Sequence, residues 1–353
     1  MIKINKILTK DILANKNINK LFSNVFLSEQ NIRCPVLCGD FYIDTHNYFP
    51  ITNDYYTFPE QFDWQKRSLI FYREAFKKNF IKQKDSCAII SNAYILGTSP
   101  GNNFYRNIST FLYRLYFITD KEINLAIHRN TSNSIREFIE YILEIKQIKL
   151  GKYIFLDDGF YYCKNSKIPG FINKELTVRF YEYLFPSTSQ SSENIYISRR
   201  NAKWRKVLNE TDYTDHLTKE GFQIIDFETL PIRQQIEKIQ KSKKIIAPHG
   251  SGLTNLFFSN KKNKVIEITQ KDINKEFMEI YLKYKMISNE KESEHLFFGA
   301  DLVENDLTSY LKTRDRPERQ HIGAKNIKKN PYFKNFIVKE KEFKKLVSNF
   351  HKR

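Results

Sequence analysis

Residues Lys244–Phe258 read KIIAPHGSGLTNLFF. Ile245–Ala247 carry a short apolar strand signal, Pro248-His249-Gly250-Ser251-Gly252 breaks it, and the apolar run from Leu253 opens a helix. A hydrophobic strand that passes through glycines directly into a helix is suited to an anion. Gly250 and Gly252 have no side chain, so backbone can approach a phosphate closely. The N–H groups of the first helical turn, from about Ser251 to Thr254, point at it with the helix dipole behind them. Ser251 and Thr254 add hydroxyl donors, and His249 can donate or carry charge. A plain strand-to-helix turn that needs glycine explains the same segment, so the flanking sequence has to decide.

Working outward, Ile195–Ile197 reads as a strand and Tyr213–Glu220 as a helix ended by Gly221, where glycine relieves a left-handed cap. Phe222–Phe227 is a strand. Pro231–Ser242 is a helix with Ile232, Ile236 and Ile239 on one face. Lys244–Ala247, Ser251–Phe258 and Val265–Ile268 complete a β-α-β-α-β-α-β succession, a nucleotide-binding half-sheet of the Rossmann type. Strand ends in such a sheet converge on one crevice. Ser198, Arg199 and Arg200 follow the first strand, and Arg205 and Glu210 come soon after. Paired arginines suit bidentate contacts to a diphosphate. Glu267, taken as the end of the last strand, has the reach to accept hydrogen bonds from ribose hydroxyls, with a structural salt bridge as its other reading.

The stretch ISRRNAKWRKVLNE, then GFQIIDFETLPIRQQI, KKIIAPHGSGLTNLFF and KVIEI, resembles glycosyltransferase family 61 in motif order and spacing. A weaker echo is Asn103-Phe104-Tyr105-Arg106, continuing to Leu112-Tyr113-Arg114-Leu115. The resemblance implies an α/β chain of GT-B architecture, two facing Rossmann-like domains, with the donor held by the C-terminal one. It implies inversion at the anomeric carbon and a UDP-sugar donor, commonly N-acetylglucosamine or a pentose such as xylose. It places Ser198, Arg199, Arg205, His249, Gly250, Ser251, Gly252 and Glu267 against the nucleotide, and Leu253, Thr254 and Asn255 complete the motif. Asn103, Tyr105 and Arg106 fall on the acceptor side. Arg106 stands where the family usually has His, Thr110 where an acidic residue is expected, and Ser251 where Ala is usual. These departures leave room for a catalytically degenerate protein that binds a nucleotide sugar or glycan.

Inverting transfer needs a general base for the acceptor hydroxyl. Asp40, Asp44, His46 and the pair Asp157-Asp158 are candidates, and Asp158 is favoured for its place just past a strand end; a turn residue before Gly159 is the plainer reading. Arg199 and His249 are the other catalytic candidates. No Asp-X-Asp triplet is present to hold a divalent ion on the diphosphate, so no metal or other cofactor is expected, and arginines and helix dipoles must stabilise the leaving UDP.

The first half parses less cleanly. Trp64–Phe80 reads as an amphipathic helix, Cys87–Ile90 as a short buried strand and Phe104–Phe117 as an aromatic helix. A strand (Ile123–His128), a helix (Ser132–Ile148) and a strand (Tyr153–Leu156) follow. Such alternation predicts a mainly parallel sheet. The polar segment Pro186–Glu193 suggests domains at 1–185 and 186–325, with a basic amphipathic helix at 326–353.

The chain has 353 residues and a formal charge of +18, with 29 Phe and 21 Tyr spread throughout. That charge suits nucleotide diphosphates, an acidic glycan or an anionic leaflet. Nucleic acid is disfavoured, because the basic residues are dispersed and no binding module is recognisable. Cys34 and Cys38 without a second ligand pair make a poor zinc signal, and four scattered cysteines suit a reducing compartment. No apolar run is long enough for a signal peptide or a membrane span. The expectation is a cytoplasmic enzyme of capsule, lipopolysaccharide or other surface polysaccharide synthesis, with a glycan or glycolipid acceptor. The stripe Phe333, Phe336, Ile337, Phe343, Leu346, Val347 and Phe350 reads either as a last helix packed on the body or as one lying on the inner face of the membrane.

Overall fold

The structure, a computed structural model, describes residues 5–6, 22–27, 32–45, 48–58, 74–98, 103–170, 174–187, 191–202, 205–271, 278–304 and 334–352. His46, residues 64–73 of the first expected helix and residues 305–333 lie outside them. The chain divides into two compact units, Met1–Phe180 and Tyr181–Arg353. Both are α/β.

In the first unit the strands are β1 (Asn5–Lys6), β2 (Phe22–Leu27), β3 (Ile32–Asp44), β4 (Pro50–Thr52), β5 (Tyr56–Thr57), β6 (Ala88–Ser91), β7 (Tyr94–Ile95), β8 (Glu122–His128), β9 (Lys149–Leu156) and β10 (Phe160–Pro169). The sheet is mixed, which corrects the mainly parallel expectation. β10, β7, β8 and β9 run parallel, whereas β3 pairs antiparallel with β2, β4 and β10. β10 hides in the sequence because Lys164-Asn165-Ser166 interrupts its apolar pattern. A bulge between Cys163 and Ser166, with Asn165 at φ 44°, absorbs those residues without ending the strand. β6 is not the buried strand expected, since it runs beside β10 with Ile89 60% exposed. The helices are α1 (Glu74–Gln83) and α2 (Asn133–Ile145), and α3 (Lys174–Leu184) runs across the boundary at Phe180. The aromatic run 104–117 is helical throughout but passes from α through π to 3-10 geometry. Lys146 holds its end, donating to the carbonyls of Leu115 at 2.9 Å and Ile118 at 3.2 Å and to that of Tyr116, and burial lowers its pKa to about 8.

In the second unit β11 (Glu193–Ile197), β12 (Phe222–Ile225), β13 (Ser242–Pro248), β14 (Lys264–Gln270), β15 (Glu294–Val303) and β16 (Asn335–Ile337) form a sheet in the order β12-β11-β13-β14-β15-β16. The first five are parallel, and β16 is antiparallel to β15. The helices are α4 (Thr211–Lys219), α5 (Ile232–Lys241), α6 (Met278–Glu290) and α7 (Glu340–Lys352), with a 3-10 helix at Ser251–Phe258. Alternate residues face opposite sides of a strand. Tyr196, Ile246, Ile266 and Phe298 therefore meet Tyr213 and Leu217 of α4 and Phe343, Val347 and Phe350 of α7 in one core. The other face carries Ile245, Ala247, Val265 and Glu267, with α5, the 3-10 helix and α6 on that side.

The end of the chain departs from the single helix expected over 326–353. Phe336 and Val338 are buried and Ile337 between them is exposed, the period of a strand, and the helix starts only at Glu340. Phe343, Val347 and Phe350, spaced at i, i+4 and i+7, are buried against the sheet. That stripe is consumed by the core, which overturns its use on a membrane surface. Among the described residues no helix is long and apolar enough to cross a membrane. Phe343→Ala, which removes a ring 4.7 Å from that of Tyr213 and 5.1 Å from that of Phe298, should cost about 3–5 kcal/mol in denaturant unfolding. Ile337→Ser should stay within about 0.5 kcal/mol. Equal small losses would show the stripe outside the core.

Candidate active site

In the order β12-β11-β13 the chain leaves β11 toward one neighbour and returns on its other side. The carboxyl ends of β11 and β13 therefore flank a topological switch point, where ligands of open α/β sheets bind. Ser198, Arg199 and Arg200 leave β11 at this point, and His249, Gly250, Ser251 and Gly252 leave β13.

The two glycines serve different purposes. Gly250 has φ 171°, extended backbone open to any residue, so conformation does not require glycine there. A Cβ at Gly250 would lie 2.1 Å from Nη1 of Arg199, whose guanidinium lies against the backbone of the turn, so a side chain there would displace the arginine. Gly252 is needed for packing, since a Cβ there would meet Cγ2 of Ile197 at 2.9 Å on a stiff, β-branched side chain. Arg199 is nearly buried and its Nε donates to the Arg205 carbonyl at 3.3 Å. Arg205 itself sits at φ 58°. Arg200 is exposed beside it. Leu253, Thr254 and Asn255 are fully buried in the 3-10 helix. The Asn255 amide donates to the Gly252 carbonyl at 3.0 Å and to Gln235 at 3.2 Å, which ties the turn to α5.

Glu267 is placed differently from the expected ribose-binding carboxylate at a strand end. It lies in the middle of β14, which continues to Gln270, on the face beneath α6. It is fully buried, and both oxygens are engaged: Oε1 by Nδ1 of His249, and Oε2 by Nε2 of His295 at 2.9 Å. Ser288 of α6 meets Nδ1 of His295 at 2.8 Å. With Ser288 donating, His295 carries its proton on Nε2, and Glu267 accepts from both rings. The His249 ring lies between Tyr281 and Tyr284, at centroid distances of 4.6 and 5.2 Å. Burial, outweighing the attraction of Glu267, pulls the His249 pKa down to about 3. Burial pushes the Glu267 pKa up, but the histidine contacts outweigh it and leave the value lowered. The pair is therefore a neutral imidazole donating to a carboxylate, and His249 brings no charge to the turn that it anchors.

Sequence reasoning named Glu210 near the crevice but gave it no role. It is buried at the start of α4, and its Oε2 accepts from Ser198 Oγ at 3.0 Å. The Asn209-Glu210 pair at the close of the first motif was the available signal.

In the first unit the acceptor-side residues lie on the helical run. Asn103 caps it, its side chain accepting from Arg106 N at 3.0 Å. Arg106 is half-buried with its guanidinium 5.7 Å from the Phe111 ring centroid, and Tyr105 is half-buried beside it. Thr110 is 1% exposed and contacts Ser109, so this departure from the family pattern is inside the core rather than toward a ligand. Arg114 is also interior, donating from Nη1 to the Leu96 carbonyl at 2.9 Å. Asp40 accepts from Asn165 N and Asp44 from Phe49 N, both structural tasks. Asp157 is clamped by Arg129 at 2.6 and 3.0 Å, and that ion pair lowers its pKa. Asp158, past the end of β9, is exposed and meets Nε2 of the buried His128 at 3.2 Å. Nδ1 of that ring accepts from Asn130 N at 3.1 Å, so His128 donates to Asp158.

A parallel sheet with a glycine turn and an arginine at its switch point defines an α/β protein of the open-sheet kind. The family profile described as Glycosyltransferase 61 matches residues 39–266, well over half of the chain, and the chain belongs to that family. Comparison with curated proteins gives no match. A glycosyltransferase of this family binds a sugar donor and an acceptor.

The buried network has a signature in pH. The unfolded chain protonates His249 below about 6.5, whereas the native ring stays neutral to about 3. Glu267, whose native pKa is lowered, acts in the same direction: its contribution is present above its unfolded pKa and lost as pH falls. Stability is therefore complete above about pH 6.5 and falls as acid is added, by up to about 1.4 kcal/mol per pH unit for His249 alone. In melting experiments between pH 7 and 4.5, His249→Gln should show a shallower loss than the parent protein. Parallel pH profiles would remove His249 from this role.

Proposed function

We propose that the protein is an inverting glycosyltransferase of GT-B type that uses a UDP-sugar of N-acetylglucosamine or pentose type without a divalent metal. Its acceptor is a hydroxyl of a glycan or glycolipid in capsule, lipopolysaccharide or other surface polysaccharide synthesis, reached from the cytoplasm. The observation that carries the reading is the Arg199 guanidinium against Gly250 at the switch point, a cation and a bare backbone meeting where a diphosphate can use both. In this reading Arg199 and Arg205, with the N–H groups that open the 3-10 helix, take up the charge that develops on the leaving UDP. Ser251, after β13, and Arg200, exposed after β11, are the further donors of this reading. His249 contributes by position: its bond to Glu267 pins the turn to the core. Asp158 is the proposed general base, because Arg129 occupies its neighbour Asp157 while the His128 N–H orients Asp158 from below and leaves it open to solvent.

UDP at one hundred times its Kd should stabilise the protein by about 2.7 kcal/mol, read as a rise in melting temperature. The rise should persist in EDTA and disappear in Arg199→Ala. A response to GDP or CMP in place of UDP would overturn the donor class, and loss of the UDP response in EDTA would overturn metal independence. Asp158→Asn should abolish sugar transfer while leaving the UDP-induced rise intact; transfer at the parental rate would remove Asp158 as the base.

A further inference from the structure

The first unit carries a strip of aromatic and ionic side chains that leads to Asp158. β9 ends the sheet on its side, and among the described residues no strand pairs with its outer edge. Tyr153 and Phe155 alternate along β9 and so point to one face, and Asp157 is the next residue of that alternation. The two rings lie near-parallel, 30° apart with centroids at 5.8 Å, and both side chains are half-buried rather than sealed. The neighbouring helix α2 sends Ile135, Phe138, Ile139 and Ile142 into the core and turns other residues to this strip. The Arg136 guanidinium stands 5.9 Å from the Phe155 ring centroid, and the Tyr153 hydroxyl donates to Glu140 at 3.1 Å. Past the end of β9 comes the Arg129–Asp157 ion pair, with both side chains more than half exposed.

This composition suits a sugar chain. Aromatic rings offer apolar surface to the C–H face of a sugar, while guanidinium and carboxylate groups meet its hydroxyls as donors and acceptors. Charge narrows the choice. The chain carries a formal +18, yet along this strip Arg129 faces Asp157, and Arg136 and Glu140 stand about one helical turn apart. Cations and carboxylates cancel, so a polyanion or an anionic leaflet finds no basic surface here, and a neutral ligand fits better. Length sets how much of it is held. From Tyr153 to Asp157 an extended strand rises about 13 Å, at roughly 3.3 Å per residue, which is more than one sugar ring covers. A single sugar at Asp158 would leave Tyr153 and Phe155 uncovered.

We propose that the β9 edge binds the acceptor as a neutral oligosaccharide, with its terminal sugar at Asp158 and its preceding sugars along Phe155 and Tyr153. The protein then extends an existing chain rather than starting one on a single sugar. The assignment rests on the reading of Asp158 as the general base. A glycan array of single sugars and longer chains, neutral and acidic, probed with the whole protein and UDP, tests it. Signal on neutral chains should exceed that on their terminal monosaccharides at least tenfold. Phe155→Ala should lower that signal at least tenfold. Arg136→Ala, a change on the solvent side of α2, should lower it at least threefold and serves if Phe155→Ala fails to fold. Both variants should keep the parental UDP-induced rise in melting temperature. Binding confined to single sugars or to acidic chains, parental signal in Arg136→Ala and in folded Phe155→Ala, or no glycan bound at all each overturns the strip. Parental array signal in Phe155→Ala beside lost transfer in Asp158→Asn overturns the strip and leaves the base standing. Lost array signal in Phe155→Ala beside parental transfer in Asp158→Asn overturns the base and leaves the strip standing.

Discussion

A carboxylate buried in the middle of a parallel strand has to be matched, and the arrangement of the second unit follows from how Glu267 is matched. Water cannot reach it, so its charge is sustained by two imidazole donors, one from the turn after β13 and one from β15. His295 is steadied by Ser288 of α6, and His249 lies between two tyrosines of the same helix. The carboxylate thus ties three consecutive strands and a helix together at the depth where the glycine turn begins. Removing one partner of such a buried pair costs on the order of 3–5 kcal/mol, because the charge left behind has no solvent to turn to.

The same constraint explains why the turn can be built from small residues without becoming slack. Glycine carries a large entropic cost of ordering. His249 immediately before Gly250 is fixed from below, Gly252 is pressed against Ile197, and Asn255 holds the Gly252 carbonyl. A group meant to stabilise developing charge is most effective when it is already in place before the charge appears. Rigidity at this edge is supplied by the core.

The sequence made β11 to β14 readable, because these parallel strands are short apolar runs between clear turns, whereas β15 and α6 went unread and β16 was taken into a helix. Arg199 and Gly250 were legible as partners of one site for the same reason: each stands immediately after a strand. Glu267 was misread because the strand does not stop where its apolar run thins, and Thr269 and Gln270 continue the pairing with β15. The first unit resisted reading for physical reasons that can be named. Its sheet is mixed, β10 carries a polar bulge, and antiparallel β3 makes one long strand from pieces that look separate. The contact of Glu210 with Ser198 could not be seen at all, since it is a property of packing and leaves no mark in residue order.

The segment 206–208, which lines a cavity at the carboxyl end of β11, is held by β16: Phe336 N donates to the Lys206 carbonyl at 2.7 Å, and the Phe336 carbonyl accepts from Leu208 N at 2.9 Å. These partners are about 130 residues apart along the chain, and α7 then covers the same core. During vectorial synthesis, at roughly 5–20 residues per second, β11 to β14 can emerge and pair while the segment 206–208 still lacks its partner. The crevice would assemble in two stages, the turn after β13 first and the wall formed by residues 206–208 only after residues 335–350 have left the ribosome.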